Sequence, residues 1–185
     1  MLIGICGKSG SGKSSLANYL KDIYGSQVVH LDIDKIGHRA LEDDVVRERL
    51  VSTFGRDIVV DGKISRKKLS TIVFDSEEEM AKLSEITWRY MDREIESFIN
   101  TNCGKIILLD WQLLPKCRYF EMCDLRVLLD IPYEVRLERC MKRDGISEDA
   151  FALREKASVK YDSSSFDQVL NDNNYKDVKE LVKLI

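Results

Sequence analysis

An apolar run, Leu2 to Cys6, leads directly into Gly7-Lys8-Ser9-Gly10-Ser11-Gly12-Lys13-Ser14. The octet fits GxxxxGK[ST] at every position, and the residues after it have helical periodicity. Leu2 to Cys6 reads as a buried strand, and Lys13 to Tyr24 as a helix with Leu16, Leu20 and Ile23 on one face. Glycines let the backbone turn tightly and aim successive N–H groups inward. Those amides and the helix N-terminus form a concave positive site for phosphate oxygens. Lys13 is expected to reach the β- and γ-phosphates as a point charge, and the Ser14 hydroxyl to be one ligand of Mg²⁺. Lys8, Ser9, Ser11 and Ser15 fall in the same phosphate-binding stretch. The expected ligand is a nucleoside triphosphate, ATP, with Mg²⁺.

Further apolar runs follow at Val28-Val29-His30-Leu31, Ile106 to Leu109 and Leu125 to Leu129. Helices are expected to fill most of the intervals. Strands alternating with helices imply an α/β fold whose parallel sheet is covered on both faces. A chain of 185 residues fits one domain with a well-buried core. That core is expected over about 1–34, 101–132 and 166–185. A mainly helical excursion covers about 35–100, and its last helix carries Met80, Leu83, Ile86, Tyr90, Met91, Ile95 and Phe98 as a packing stripe. A charged stretch over about 133–165, ending in Ser163-Ser164-Ser165, suits a mobile lid.

Composition excludes several classes. The formal net charge of -3 argues against a broad nucleic-acid surface. No apolar run approaches the roughly 18 residues of a membrane helix, and Met1-Leu2-Ile3 has no basic leader of a signal peptide. A cytoplasmic location is the expectation, with no membrane partner. The five cysteines, Cys6, Cys103, Cys117, Cys123 and Cys140, form no CxxC pair, so free thiols are expected rather than zinc.

Three groups around the loop carry candidate chemistry. Ile106 to Asp110 is a hydrophobic strand ending in a carboxylate, the place where P-loop folds hold Mg²⁺. Asp32-Ile33-Asp34 follows the second strand, where residues face the ligand crevice of a doubly wound sheet. Alternation along an extended strand puts Asp32 and Asp34 on the same side, and either can orient an attacking hydroxyl or take its proton. Asp34 is also placed to cap the next helix. Arg136, Arg139 and Arg143 share a helix face, with Glu134 and Glu138 as candidate surface partners. A row of guanidinium groups there can close on a triphosphate. Asp34-Lys35-Ile36-Gly37 fits the DxxG of GTPases, but no NKxD for guanine follows. A small-molecule kinase fits the length better than a motor or switch ATPase. Reading outside the enzymes, an ATP-binding regulatory protein without turnover is disfavoured by intact Lys13, Ser14, Asp34 and Arg139.

With these residues in view the chain resembles the dephospho-coenzyme A kinase family. The resemblance runs through Ile3-Gly4-Ile5-Cys6 and the loop, then Leu31-Asp32-Ile33-Asp34-Lys35-Ile36-Gly37-His38. It continues through Asp61-Gly62-Lys63-Ile64-Ser65-Arg66 with Leu69, Ile72-Val73-Phe74, Leu108 to Leu114, and the lid residues Arg139, Arg143-Asp144 and Ser147. It implies a P-loop kinase fold and phosphorylation of the ribose 3′-hydroxyl of dephospho-CoA by ATP. It also implies Asp34 as catalytic base, Arg139 as the lid arginine on the triphosphate, His38 and Arg66 near the acceptor, and the helical excursion as the CoA-binding subdomain. A monomer or small homo-oligomer is expected. The chain departs from the family pattern at Thr87-Trp88, Gln112, Pro115-Lys116 and near Ser158, and Val169-Leu170-Asn171-Asp172-Asn173 only approximates the adenine-side motif. These changes fall mostly on acceptor and base surfaces, which leaves a related kinase with another nucleoside or nucleotide acceptor as the alternative.

Overall fold

The computed structural model describes residues 1–73 and 76–184, with the side chains of residues 181, 183 and 184 excepted. Phe74 of the family stretch and Ile185 of the expected core lie outside the described residues. The described chain divides into two compact units, Met1–Asp32 with Asn102–Ile185, and Ile33–Thr101.

The first unit is built on a parallel sheet. Its strands are β1 (Leu2–Gly7), β2 (Val28–Asp32), β5 (Ile106–Asp110), β6 (Leu125–Leu129) and β7 (Gln168–Leu170). The order across the sheet is β2-β5-β1-β6-β7, and every pairing is parallel. All six residues of β1 are buried, as expected of a central strand covered on both faces. The chain leaves β1 for β2 on one side and later returns to β6 on the other. The C-terminal end of β1 is therefore a topological switch point, where open α/β sheets bind ligands.

Helix α1 (Lys13–Tyr24) lays Leu16, Ala17 and Leu20 against Ile3, Ile5, Leu108, Val127 and Leu129. Each leucine, isoleucine or valine among them contributes about 1.5–3 kcal/mol when fully buried. Ile23, expected on the same face, is instead exposed, and Ala17 takes its place in the core. Ala17 lies about 100° round the helix from Leu16, so a buried stripe through Leu16, Leu20 and Ala17 is centred away from Ile23 and leaves it at the edge. Val178 and Val182 of α9 (Lys176–Leu184) close the same core.

The second unit contains α2 (Ile33–Ala40), α3 (Asp44–Phe54), a hairpin of β3 (Val59–Val60) and β4 (Lys63–Ile64), α4 (Arg66–Val73) and α5 (Glu77–Thr101). The hairpin pairs Val59 with Ile64 and Val60 with Lys63, so Asp61-Gly62 forms a two-residue turn. Both turn residues have positive φ, 50° and 75°, which is the conformation Asp-Gly sequences favour in such turns. Val46, Leu50, Ile58, Ile64, Leu69, Val73 and Ile86 form this unit's own core, with Leu83 and Tyr90 packed against it. Met80, at the start of the expected stripe on α5, is exposed.

Two local readings at the sheet edge are corrected. The strand ends at Asp32 and the helix begins at Ile33, so Asp32 and Asp34 are not related by strand alternation. Asp34 lies inside the first turn of α2 and is not its cap. There its charge still favours the helix N-terminus through the macrodipole. Ile33 and Ile36, both fully buried, are the residues that start the helix early.

Candidate active site

The loop after β1 closes on itself through the Ser11 N–H and the Lys8 carbonyl at 3.1 Å, and side chains distant in sequence hold it on several sides. Gly12 precedes α1 at φ 94° and ψ 23°, a left-handed conformation that a glycine adopts without strain. A Cβ there would sit 2.7 Å from the Asn173 amide nitrogen. That amide donates to the Ser11 carbonyl at 3.1 Å and to the Tyr175 hydroxyl at 2.6 Å. The Tyr175 hydroxyl donates in turn to the Gly12 carbonyl at 3.3 Å. Burial pushes the Tyr175 hydroxyl above its ordinary pKa, so it stays a neutral donor. At the other end of the loop the Tyr161 hydroxyl accepts from the Gly7 N–H at 3.2 Å and donates to the Gln112 carbonyl at 2.9 Å. Ser11 is buried, and its Oγ has no hydrogen-bond partner among the described residues.

Lys13 donates to the Gly7 carbonyl at 3.1 Å and lies 3.8 Å from Asp110 Oδ1. Asp110, the last residue of β5, is buried at 4% exposure. Its other oxygen, Oδ2, is 3.3 Å from His30 Nε2 on the adjacent strand. The parallel register pairs Asp32 with Asp110 across β2 and β5, so both acids sit at the same end of the sheet. Ser14 and Ser15, at the start of α1, are exposed.

The C-terminal part of this unit supplies the short α6 (Arg118–Glu121), α7 (Tyr133–Asp144) and α8 (Glu148–Lys156). Ser147 caps α8 by accepting from the Ala150 N–H at 3.3 Å. The arginine row on α7 does not act as one set. Arg139 is exposed and reaches the Gly10 carbonyl at 3.3 Å. Arg143 forks onto Asp144 at 2.7 and 3.0 Å. Arg136 is buried at 4% and grips Glu155 of α8. The partners of Arg136 and Arg143 are thus Glu155 and Asp144, not Glu134 and Glu138. Spacing placed the cations on one face, but it could not show that an acid from the next helix had been folded against it. Asp144 also accepts from Arg154 at 2.8 Å. Arg143 first, then Arg154, hold the Asp144 carboxyl down to about 2. Phe151 and Cys140 are fully buried, so the expected lid has apolar anchors as well as charge.

The second unit carries the remaining candidates. Asp34 and His38 lie on α2 and Arg66 begins α4, all exposed. His38 and Arg66 line one cavity of about 320 Å³ with Arg47, Lys63, Leu41 and Glu42. Thr87 is buried on α5, and its hydroxyl donates to the Leu83 carbonyl of its own helix at 2.9 Å. Sequence reasoning missed His30, Glu155, Tyr161, Asn173 as a loop ligand, and Tyr175. His30 did carry a signal, since it interrupts an otherwise apolar strand.

A central parallel strand, a glycine-rich turn, a helix carrying Lys-Ser and a buried acid beside them define a P-loop kinase. The family model of dephospho-CoA kinase matches residues 1–177, and the chain belongs to that family. A dephospho-CoA kinase of Aquifex aeolicus is 38% identical over 160 residues, covering 85% of this chain and 80% of the relative. One from Fusobacterium nucleatum is 35% identical, covering 80% of this chain and 76% of the relative. Among solved structures, TT1252 from Thermus thermophilus has a TM-score of 0.81 at 27% identity, covering all of this chain and 95% of the other. Dephospho-CoA kinase from Campylobacter jejuni shares the fold, with a TM-score of 0.55 at 24% identity over 99% of this chain and 94% of the other.

Proposed function

We propose that this chain transfers the γ-phosphoryl group of ATP to the ribose 3′-hydroxyl of dephospho-CoA, giving CoA and ADP. The observation that carries the reading is the family match across residues 1–177, which takes in the phosphate loop, Asp32 at the end of β2, Asp34 in α2 and the arginine helix.

The chemistry follows from the residues. The loop amides between Lys8 and Ser14 that are not already bonded receive the phosphates at the N-terminus of α1; the Gly7 N–H is held by Tyr161 and the Ser11 N–H by the Lys8 carbonyl. Lys13 is already aimed by the Gly7 carbonyl and Asp110, so little ordering is left to do when ATP arrives. Its charge and that of Arg139 oppose the negative charge on the phosphoryl oxygens during transfer. Arg143, at the end of the same helix, reaches the phosphates only by leaving Asp144. Asp34 orients the acceptor hydroxyl and takes its proton late, as the loose transition state of phosphoryl transfer requires. Asp32, His38 and Arg66 complete the acceptor side within this reading.

The donor set suits Mg²⁺. Ser14 and Asp110 offer hard oxygen ligands, and no group of three or more His, Cys, Asp or Glu among the described residues could hold a metal unaided. Mg²⁺ commonly takes one or two protein oxygens and fills the rest from phosphates and water. When bound it supplies charge neutralisation on the β- and γ-phosphate oxygens. No helix among the described residues is long and apolar enough to cross a membrane. The reading has the enzyme in the cytoplasm, as a monomer or small homo-oligomer, working on small molecules without nucleic acid.

The test is direct. Purified protein with ATP, Mg²⁺ and either dephospho-CoA or a panel of nucleosides and nucleotides should yield CoA and ADP from dephospho-CoA alone. Product from a nucleoside with none from saturating dephospho-CoA would transfer the activity to another acceptor. ATP binding without turnover on any acceptor would make the protein a regulatory one.

A further inference from the structure

Behind the loop lies a charge cluster that phosphoryl transfer does not itself require. Arg136 is 4% exposed and fully engaged. Its Nε donates to the Ile131 carbonyl at 2.8 Å, and its two terminal nitrogens fork onto Glu155 at 2.8 and 3.0 Å. One of these, Nη1, also reaches the Ser9 carbonyl at 3.5 Å. The rings of Tyr133 and Phe151 lie 5.9 and 5.8 Å from the guanidinium carbon. Glu155 Oε1 accepts a second cation, Lys8 Nζ, at 2.6 Å. One carboxylate on α8 therefore binds two cations, one on α7 and one on the phosphate loop.

We propose that Glu155 is a positioning residue for ATP: it clamps Lys8 to Arg136 and so holds loop residues 8–10 in the form that receives the phosphates. The inference rests on the loop being the ATP phosphate site. A forked guanidinium–carboxylate pair has fixed geometry, so Glu155 is set by Arg136 and not by Lys8. Lys8 is the mobile member, a flexible side chain brought to a fixed anion. Its capture pins the loop at the residue after Gly7, while the Ser9 carbonyl leans on Arg136 itself. Arg136 first, then Lys8, keep the Glu155 carboxyl below its ordinary pKa, so the clamp is charged at neutral pH. Without the carboxylate the two cations face each other with no counter-ion, and Lys8 has reason to swing into solvent. The loop must then be ordered by ATP, which weakens binding without altering the transferring groups.

The experiment compares Glu155→Gln, Lys8→Met and the double variant. ATP and acceptor steady-state constants are measured, with calorimetric ATP binding in the absence of acceptor and thermal melts. Glu155→Gln is expected to raise the KM for ATP about tenfold, with kcat within about twofold and the KM for the acceptor unchanged. The calorimetric Kd should rise by the same factor. Lys8→Met should raise both ATP constants in the same direction, and the double variant should be no worse than Glu155→Gln alone. Glu155→Asp, which keeps the charge, should recover part of the loss. An unchanged ATP Kd in folded Glu155→Gln overturns the proposal, as do additive effects in the double variant. If Glu155→Gln does not fold, Lys8→Met decides: a raised ATP Kd supports the clamp and an unchanged one refutes it. A wild-type protein that binds ATP but makes no CoA defeats the functional reading and leaves the clamp standing.

Discussion

Replacing Gly10 by alanine tests whether the loop is shaped by the helix behind it. Gly10 has φ +80°, where an L-residue costs roughly 1–2 kcal/mol. A Cβ at this position would stand 2.6 Å from the Arg136 carbonyl oxygen and 3.1 Å from its Cα, with Cys140 Sγ at 3.0 Å. Two of these are backbone atoms of α7 and cannot rotate away. Overpacking of this kind costs about 1–3 kcal/mol. Together the effects amount to about 2–5 kcal/mol, and a protein of this size loses roughly 2–4 °C of Tm per kcal/mol. Gly10→Ala should therefore melt about 5–20 °C below wild type. If the loop relieves the clash by changing conformation, the melt recovers but ATP no longer raises the Tm, because ligand stabilisation scales with affinity. Gly145→Ala separates strain from clash. Its φ is +64° with nothing within 4 Å of the added carbon, so it should cost only the conformational share and keep the ATP shift. Differential scanning fluorimetry with and without ATP reads all of this. A Gly10→Ala protein with wild-type melting and a wild-type ATP shift would refute the argument that α7 forms the loop's back wall.

Three further outcomes are expected. Asp34→Asn should lose at least about a hundredfold in single-turnover phosphorylation, the range for loss of a general base, with ATP affinity little changed; near wild-type chemistry would remove Asp34 from that role. Lys13→Ala should lose most of its turnover while circular dichroism and melting show a folded protein, and normal turnover would contradict a phosphate-binding Lys13. Acid should destabilise the α7–α8 junction, because the folded Asp144 pKa of about 2 lies below its ordinary 3.8. The unfolded chain binds that proton first, so the contribution is complete above pH 3.8 and is lost as pH falls toward 2; Asp144→Asn should flatten the fall in Tm over that window.

What could be read beforehand divides by length scale. The sheet strands except β7 are visible because each is a mainly apolar stretch of five or six residues, broken only by His30 in β2 and Arg126 in β6, beside a turn or helix signal. β7 has three residues, Gln168–Leu170, and β3 and β4 have two each, too short for any periodicity to declare them. The Asp61-Gly62 turn was present in the sequence, yet without flanking strands of readable length it gave no hairpin. Asp32-Ile33-Asp34 read as extended because acids flank an apolar residue. The structure shows that Ile33 and Ile36 bury together as the first turn of a helix, so tertiary packing overrode the local pattern. Arg136 failed for a related reason. An arginine at helical spacing looks solvated until another helix brings an acid and an aromatic ring, Glu155 and Phe151, to join Tyr133 of its own helix.

The same scale explains why the loop itself was legible and its supports were not. A phosphate loop needs glycine at Gly7, Gly10 and Gly12 for close approach and positive φ, and glycine is also the residue that loses most freedom on ordering. A loop so composed has few local bonds to hold its shape, the Ser11 N–H on the Lys8 carbonyl and Lys13 on the Gly7 carbonyl among them. The structure shows side chains from residues well over a hundred positions away engaging it: Tyr161 on the Gly7 N–H, Arg136 on the Ser9 carbonyl, Arg139 on Gly10, Asn173 on Ser11 and Tyr175 on Gly12. Five contacts of this kind within six residues remove entropy that ATP would otherwise have to remove, and they use four carbonyls and one amide while leaving most loop N–H groups for phosphate. The motif therefore specifies what binds, and the residues after β6 determine how much ordering remains when it does. Substitutions at Tyr161, Asn173 or Tyr175 should on this argument weaken ATP binding without touching the transferring groups, as expected of Glu155.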